Sequence, residues 1–206
     1  MECEVNDMTQ PLIEFWYEFA STYSYLLAML IEALAAEAGV NIAWRPFLLG
    51  PIFHAQGWTS SPFNLYPAKG RYMVRDLERI ATERGLRFAL PTPFPQNSVA
   101  AARLAIAGCE EGWVARFTRA VYAVQFADGA GIADRGALGT ILTSLRLDSG
   151  RLLSRIEEPQ IKDRLKQQTA EAQARSIFGA PSFMVGDELF WGDDRLEQAV
   201  AWARRT

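Results

Sequence analysis

The β-strand signal lies at the two ends of this chain, and that distribution constrains the fold more than any other feature. Residues 12–20 read LIEFWYEFA, an aromatic-rich run that favours a strand. Ser21 follows at an N-cap position, residues 23–38 have a helical pattern, and Gly39 ends that helix. Residues 40–47 predict a second strand. With so short a connection, the two strands of this β-α-β unit should be parallel.

Between the ends, the chain reads almost entirely as helix. Residues 48–66 are rich in Pro, Gly and Ser and predict a loop, and PTPFPQNS at 91–98 predicts a rigid one. The β signal returns only at 181–191, around a Gly-Asp turn. The sequence predicts an α/β fold in which helices are inserted between two halves of one sheet. Helices are expected at 68–84 (with Tyr72, Met73, Leu77 and Ile80 on one face), 98–109, 112–126, 134–145 and 152–177.

Composition excludes several classes of function. The 206 residues carry a net charge of −3 and a pI near 5.3, which argues against a nucleic-acid surface. Glu32 interrupts the longest apolar run, and residues 1–10 lack the features of a signal peptide, so the expected compartment is the cytoplasm. One histidine and two distant cysteines, Cys3 and Cys109, argue against a metal site and a disulfide framework.

Ser21 is the first candidate functional residue. Residues 21–24 read STYS where a thiol-disulfide enzyme would carry C-x-x-C. A serine hydroxyl at an open helix N-terminus can donate a hydrogen bond to a bound thiolate, whose pKa such a place lowers. The simpler interpretation is that Ser21 only caps the helix, and Ser24 is expected to be structural. Disulfide exchange needs two thiols, so a disulfide oxidoreductase is disfavoured.

A proline turn precedes the second strand pair. Residues 178–183 read FGAPSF, and Ala180-Pro181 stands between a helix end and a strand start. An X-Pro bond is trans by default, so this proline could be an ordinary helix stop. It could instead present the backbone of Ala180 to a peptide-like ligand, as an added strand would use it.

A second candidate binding segment, WGDDR, occupies residues 191–195. Gly192 permits close approach of a ligand to the backbone. Asp193 or Asp194 can cap the last helix. The same helix start can also receive an amino-acid head group, whose carboxylate would meet N–H groups and whose ammonium would meet an aspartate.

Taken together, these motifs resemble the 2-hydroxychromene-2-carboxylate isomerases and their relatives, the kappa-class glutathione transferases and DsbA-like proteins. The family motif S-P-[FY]-S-[YW]-L stands here as STYSYL at 21–26, with Thr22 in place of proline. The motifs F-G-V-P-T-F and W-G-x-D-R-L stand as FGAPSF at 178–183 and WGDDRL at 191–196. The resemblance also covers residues 45–47, 67–79 and 94–98.

The resemblance implies a thioredoxin-like domain formed by residues 11–50 and 178–206, with residues 51–177 as a helical insert. It implies glutathione as cofactor, Ser21 as the catalytic residue that holds its thiolate, and a cis Ala180-Pro181 bond. Arg45 and Asn97 match positions near an aromatic substrate. The positions that match glutathione contacts are Ser21, Ala180, Pro181, Trp191, Gly192, Asp193 and Asp194.

The implied activity is glutathione-dependent isomerisation of a 2-hydroxychromene-2-carboxylate type compound, as in aromatic hydrocarbon degradation. A kappa-like transferase acting on other electrophiles and a non-catalytic thioredoxin-like binding module remain alternatives. A homodimer is compatible with the sequence. Because Trp58, Phe63 and Phe94 lie in the loops at 48–66 and 91–98, we expect these loops to line a substrate pocket that faces Ser21.

Overall fold

The sheet has four strands, in the order β2-β1-β3-β4, in a computed structural model that describes residues 10–205. Strands β1 and β2 are parallel, as predicted, whereas β3 is antiparallel to both β1 and β4. The sheet residues come from the two ends of the chain, which confirms the predicted α/β fold with inserted helices. The strands are β1 (Leu12–Tyr17), β2 (Asn41–Pro46), β3 (Ser182–Val185) and β4 (Glu188–Trp191).

Most of the helices within the described residues lie between β2 and β3 in the sequence, two lie between β1 and β2, and one follows β4. They are α1 (Thr22–Ala28), α2 (Ile31–Ala38), α3 (Leu49–Ala55), α4 (Pro62–Leu65), α5 (Pro67–Glu83), α6 (Val99–Glu111), α7 (Val114–Tyr122), α8 (Arg135–Ser144), α9 (Ser149–Arg155), α10 (Pro159–Ala174) and α11 (Leu196–Ala203). A π-helical turn, Ala123–Ala127, continues α7. No helix within residues 10–205 is long and apolar enough to cross a membrane.

Alternation along β1 divides the core between the two faces of the sheet. Phe15 and Tyr17 point into the larger cluster, where Phe15 stacks on Phe183 and meets the edge of Trp44. Trp16 points the opposite way and packs against Phe47 in a smaller cluster. The larger cluster also contains residues of α1, α5, α6 and α7, so one core joins the sheet to the inserted helices. The division into 11–50 with 178–206 and 51–177 stays a prediction.

Two helix predictions and one loop prediction were wrong in detail. The helix expected over 23–38 is two helices, and no Gly or Pro signals the break at Met29 and Leu30. The helix expected over 152–177 is also two, because Pro159 begins α10 at its first position and Glu158 before it is extended. Residues 48–66 are not all loop: α3 and α4 lie there, and Pro51 is tolerated in the first turn of α3 because its missing N–H is not needed.

Helix α5 shows which face of the insert packs inward. Met73, Leu77 and Ala81 are buried at a spacing of four residues, one stripe of the helix. Tyr72 was expected on this face, but it is 63% exposed. The buried stripe holds α5 against α1, and this contact brings the insert to the side of the sheet where Ser21 lies.

Candidate active site

A cavity of about 1470 Å³ opens where the carboxyl end of β1 meets the inserted helices. Its size exceeds that of ordinary small-molecule sites, which hold about 300–1,000 Å³. Residues near the two ends of the sequence, at 18–23 and 178–195, and residues from its middle, at 48–99, contribute to its lining. Sequence-predicted residues that line it are Ser21, Trp58, Phe63, Phe94, Asn97, Ala180, Pro181, Trp191, Gly192, Asp193 and Asp194.

The Ser21 hydroxyl makes two hydrogen bonds at the floor of this cavity. It accepts from the backbone N–H of Ser24 at 3.2 Å, so Ser21 is the N-cap of α1. It also donates to the backbone carbonyl of Ala180 at 2.9 Å, across 159 positions of sequence. The capping interpretation is therefore correct, and the hydroxyl in addition ties the start of α1 to the proline turn.

The proline turn itself is fixed by its neighbours. The Ala180-Pro181 peptide bond is cis, as the resemblance implied. Ser182 Oγ donates to the carbonyl of Gly179 at 2.8 Å, and the N–H of Gly192 donates to the carbonyl of Pro181 at 3.1 Å. These bonds place the backbone of Ala180 at the cavity, beside Ser21.

Trp191 covers one rim of the cavity and shows why two glycines stand near it. Its indole packs edge-on against Phe178 with ring centroids 4.9 Å apart, and it remains 53% exposed. A Cβ on Gly179 would lie 2.4 Å from the indole nitrogen, so any side chain there would displace Trp191. Gly192 has φ +123°, a left-handed conformation that favours glycine.

The two aspartates after Gly192 differ sharply in environment. The side chain of Asp193 is 13% exposed and pairs with Arg84 at 3.0 Å. Burial, the largest effect, raises the pKa of Asp193, and Arg84 opposes that shift. The side chain of Asp194 is 65% exposed and pairs with Arg195 at 3.3 Å. The prediction that one of them caps the last helix is wrong, because the N-cap of α11 is Arg195, without a side-chain capping bond.

Asp76 lies within the 67–79 stretch of the family resemblance, which implies no role for it. Asp76 lines the cavity and accepts a hydrogen bond from the Tyr23 hydroxyl at 2.9 Å. Burial, followed by the hydrogen bond to Asp76, raises the pKa of Tyr23. The charge of Asp193 also raises it, which places both carboxylates near one phenol. Two cationic side chains, Lys69 and Arg195, also line the cavity.

Glu18 was not predicted as a site residue. It is only 4% exposed, lines the cavity, and follows the end of β1. Its carboxylate accepts hydrogen bonds from Ser98 Oγ and from the N–H of Ala20. Burial raises the pKa of Glu18 to about 7, and the two hydrogen bonds oppose that shift. Its charge depends on contacts between distant segments, which a local sequence pattern does not reveal.

The two predicted substrate contacts have different outcomes. Asn97 lines the cavity, where its side-chain oxygen accepts from the N–H of Val99 at 3.1 Å. Arg45 is not among the residues that line it. The parallel register sets Arg45 opposite Trp16, and its guanidinium pairs with Glu14 at 2.7 Å. The structure therefore does not bring Arg45 to the site.

An aromatic wall, with residues from α3, α4 and the loops around Trp58 and Phe94, lines part of the cavity. Phe53 and Trp58 lie with ring centroids 5.3 Å apart, and Phe63 and Phe94 complete the wall. His54 lines the same cavity. This wall suits a flat aromatic ligand, whereas the rim with Trp191 and the aspartates is polar.

Within residues 10–205, no three His, Cys, Asp or Glu side chains group so as to hold a metal ion. The sulfur of Cys109 lies 3.5 Å from the carbonyl oxygen of Trp44. Cys3 lies outside the described residues.

Comparison with known proteins agrees with this architecture. A family model described as DSBA-like thioredoxin domain matches residues 12–201. A 2-hydroxychromene-2-carboxylate isomerase of Sphingobium xenophagum is 28% identical over 185 residues, which cover 90% of this chain and 94% of that relative. A glutathione S-transferase kappa 1 of Homo sapiens is 24% identical over 211 residues, 90% of this chain and 87% of that relative.

A solved structure of a 2-hydroxychromene-2-carboxylate isomerase superposes with a TM-score of 0.84 at 25% identity, covering 94% of this chain and 95% of that one. The family model, the isomerase sequence and the solved isomerase structure all extend over nearly the whole fold. The protein belongs to the DSBA-like thioredoxin family, with the thioredoxin-like fold and inserted helices that the sequence predicted.

Proposed function

We propose that this protein is a glutathione-dependent isomerase of 2-hydroxychromene-2-carboxylate type compounds. The observation that carries the proposal is the Ser21 hydroxyl, which lies beside the backbone of Ala180 on the floor of a cavity with one polar rim and one aromatic wall. Relatives named as isomerases of this substrate cover nearly the whole chain, which supports the same activity.

We place glutathione in the cavity with its thiol at Ser21. The thiol reaches Ser21, the cysteinyl backbone pairs with that of Ala180 as an added strand would, and the γ-glutamyl end lies along residues 191–195. Its ammonium meets Asp194, and its carboxylate meets the N–H groups at the start of α11 and the Arg195 side chain.

Binding would release the Ser21 hydroxyl for its chemical task. In the structure this hydroxyl donates to Ala180, and one O–H group can donate only one strong hydrogen bond. The cysteinyl N–H of glutathione can take over the Ala180 carbonyl. The Ser21 hydroxyl then turns to the sulfur and stabilises the thiolate.

The reaction then needs no redox partner. The thiolate adds to the carbon–carbon double bond of the ring-opened substrate, a C–S bond forms, and the electron pair moves onto the conjugated keto acid as an enolate. The former double bond is now single and rotates. The enolate collapses, the C–S bond breaks, and the thiolate leaves the trans product. Stabilising the thiolate lowers the barrier to both its addition and its departure.

The aromatic half of the substrate would lie against Phe53, Trp58, Phe63 and Phe94. Its carboxylate needs a cationic partner, and Lys69 lines the same cavity. Arg45, the other candidate, is not among the residues that line the cavity and pairs with Glu14.

A kappa-like transferase is the second candidate, favoured by the relative of that name and by a cavity large enough for varied electrophiles. Both activities need the same thiolate. A binding module without catalysis would hold no glutathione thiolate.

Calorimetric titration with glutathione, followed by product analysis, separates the three functions. An isomerase binds glutathione and releases it unchanged after converting the substrate. A transferase binds glutathione and consumes it in a stable thioether with an electrophile such as a halonitrobenzene. Absence of glutathione binding would contradict both enzymatic functions.

A further inference from the structure

Glu18 is a buried carboxyl that the proposed mechanism does not yet use. It lies three residues before Ser21, and the N–H of Ser21 donates to the Glu18 carbonyl at 2.9 Å. The hydroxyl of Tyr122, on α7, donates to the same carbonyl at 2.8 Å. The backbone of Glu18 is therefore fixed from both sides, and its position relative to the Ser21 hydroxyl is rigid.

The carboxylate of Glu18 is held as firmly as the backbone. Oε2 accepts the N–H of Ala20 at 2.8 Å, and Oε1 accepts the hydroxyl of Ser98, which begins the helix after the 91–98 loop. A carboxylate has about four lone-pair sites, so two remain for a proton or a further donor. The open lone pairs belong to a residue that lines the glutathione cavity.

The surroundings of Glu18 supply no compensating positive charge. Within residues 10–205, no Lys, Arg or His pairs with its carboxylate; only the hydrogen bonds from Ser98 and Ala20 favour ionisation. The neighbouring titratable groups are Tyr17 and Tyr122, buried phenols whose pKa values burial raises, so both stay neutral. The charged side chains that line the same cavity are Lys69, Asp76, Asp193, Asp194 and Arg195.

We propose that Glu18 accepts the thiol proton of the glutathione bound at Ser21. In this step the S–H bond breaks, the proton moves to a Glu18 carboxylate oxygen, and the electron pair stays on sulfur. Nothing is oxidised or reduced. The negative charge moves from a buried carboxylate to a thiolate that the Ser21 hydroxyl stabilises, so the net charge of the cavity is the same before and after the transfer.

This role fits both the burial of Glu18 and the chemistry of isomerisation. A general base works best when its pKa lies near the working pH, and burial raises the pKa of Glu18 to about 7. Isomerisation consumes no proton overall. The proton can therefore stay on Glu18 while the thiolate adds and leaves, and it returns to sulfur when glutathione dissociates.

Three variants test this role, which rests on the proposed glutathione function. Glu18→Gln keeps the size and the acceptor for Ala20 but cannot take the proton. Ser98→Ala removes one hydrogen bond that lowers the pKa of Glu18. Glu37→Gln changes an exposed glutamate on α2 and serves as the matched control. For each protein, the ultraviolet absorbance of bound glutathione thiolate and kcat/KM are measured against pH.

In the wild type and Glu37→Gln, thiolate absorbance and kcat/KM should rise through an inflection near pH 7. Glu18→Gln should bind glutathione but lose this inflection, with kcat/KM lower by about 10²–10⁴-fold. Ser98→Ala should move the inflection to higher pH. A purely structural role would lower stability and leave the inflection in place.

Two kinds of result would contradict the role proposed for Glu18. An unchanged inflection in Glu18→Gln, or an unmoved one in Ser98→Ala if Glu18→Gln fails to fold, would overturn the assignment while leaving the glutathione function intact. Absence of glutathione binding by the wild type would overturn the proposed function and this assignment with it.

Discussion

Replacing Ser21 by alanine removes two bonds whose effects on stability and on catalysis can be separated. Loss of the N-cap acceptor for Ser24 costs about 1 kcal/mol of folding free energy. Loss of the bond to the Ala180 carbonyl costs about 0.5–1.5 kcal/mol more. The sum, about 1.5–2.5 kcal/mol, should lower Tm by about 3–10 °C, since each kcal/mol is worth about 2–4 °C in a chain of this length.

The catalytic effect should be larger. If the Ser21 hydroxyl stabilises the thiolate during addition and departure, Ser21→Ala should reduce turnover by about 10²–10³, the scale of one lost oxyanion donor. Glutathione affinity should fall much less, because the Ala180 backbone and the polar rim remain. Turnover is measured by the disappearance of substrate absorbance at saturating glutathione, at a temperature where the variant is folded.

Ser182→Ala is the matched control. It removes a hydroxyl that donates to the neighbouring carbonyl of Gly179 at 2.8 Å, but Ser182 is buried and outside the residues that line the cavity. It should cost about 1 kcal/mol of stability and change turnover less than about tenfold. Equal turnover in Ser21→Ala and the wild type would refute the role given to Ser21.

Three further predictions follow from the cavity. Asp194→Asn should raise the glutathione dissociation constant by at most about fivefold in a calorimetric titration, since this side chain is 65% exposed; a loss near a hundredfold would mean that the ligand buries it. Trp58→Ala should raise KM for the aromatic substrate by about two- to tenfold and leave glutathione affinity unchanged, because the indole belongs to the aromatic wall; equal effects on both ligands would place glutathione against that wall. The pKa of Glu18 is raised above its usual 4.5 to about 7, so its contribution to stability is greatest below pH 4.5 and is lost as pH rises through 7. In urea unfolding, the free energy of unfolding of the wild type minus that of Glu18→Gln should therefore fall by about 3 kcal/mol between pH 4.5 and 8. A difference that stays constant over this range would contradict the raised pKa.

Much of the fold could be predicted because its signals are local. The aromatic strand at 12–17, the N-cap Ser21 and the αL residue Gly39 mark the β-α-β unit within thirty residues of sequence. The Gly-Asp turn at 186–187 likewise predicted the hairpin of β3 and β4. Such features depend on backbone preferences, which act before tertiary contacts form.

Features that depend on tertiary contacts could not be predicted in the same way. Arg45 matched a substrate-binding position, and only the structure shows that its guanidinium pairs with Glu14 on the neighbouring strand. The break between α1 and α2 has no Gly or Pro to mark it, and the final helix begins at Leu196 without the expected aspartate cap. A local pattern cannot report a partner that lies on another strand or against another helix.

Glu18 shows the same limit within the site. In sequence it is one polar residue at the end of an apolar strand. Only the approach of Ser98, eighty positions away, together with the packing of Tyr122, turns it into a buried carboxyl at the cavity. Long-range burial of this kind produces the perturbed pKa values that mark functional groups.

One measurement tests most directly whether glutathione bound at Ser21 catalyses isomerisation in this cavity. The purified protein is mixed with 2-hydroxychromene-2-carboxylate, and the trans-benzylidenepyruvate product is followed by absorbance with and without glutathione. The account predicts conversion to an equilibrium mixture only when glutathione is present, with glutathione recovered unchanged. Conversion that is equally fast without glutathione, or no conversion with it, would contradict the account.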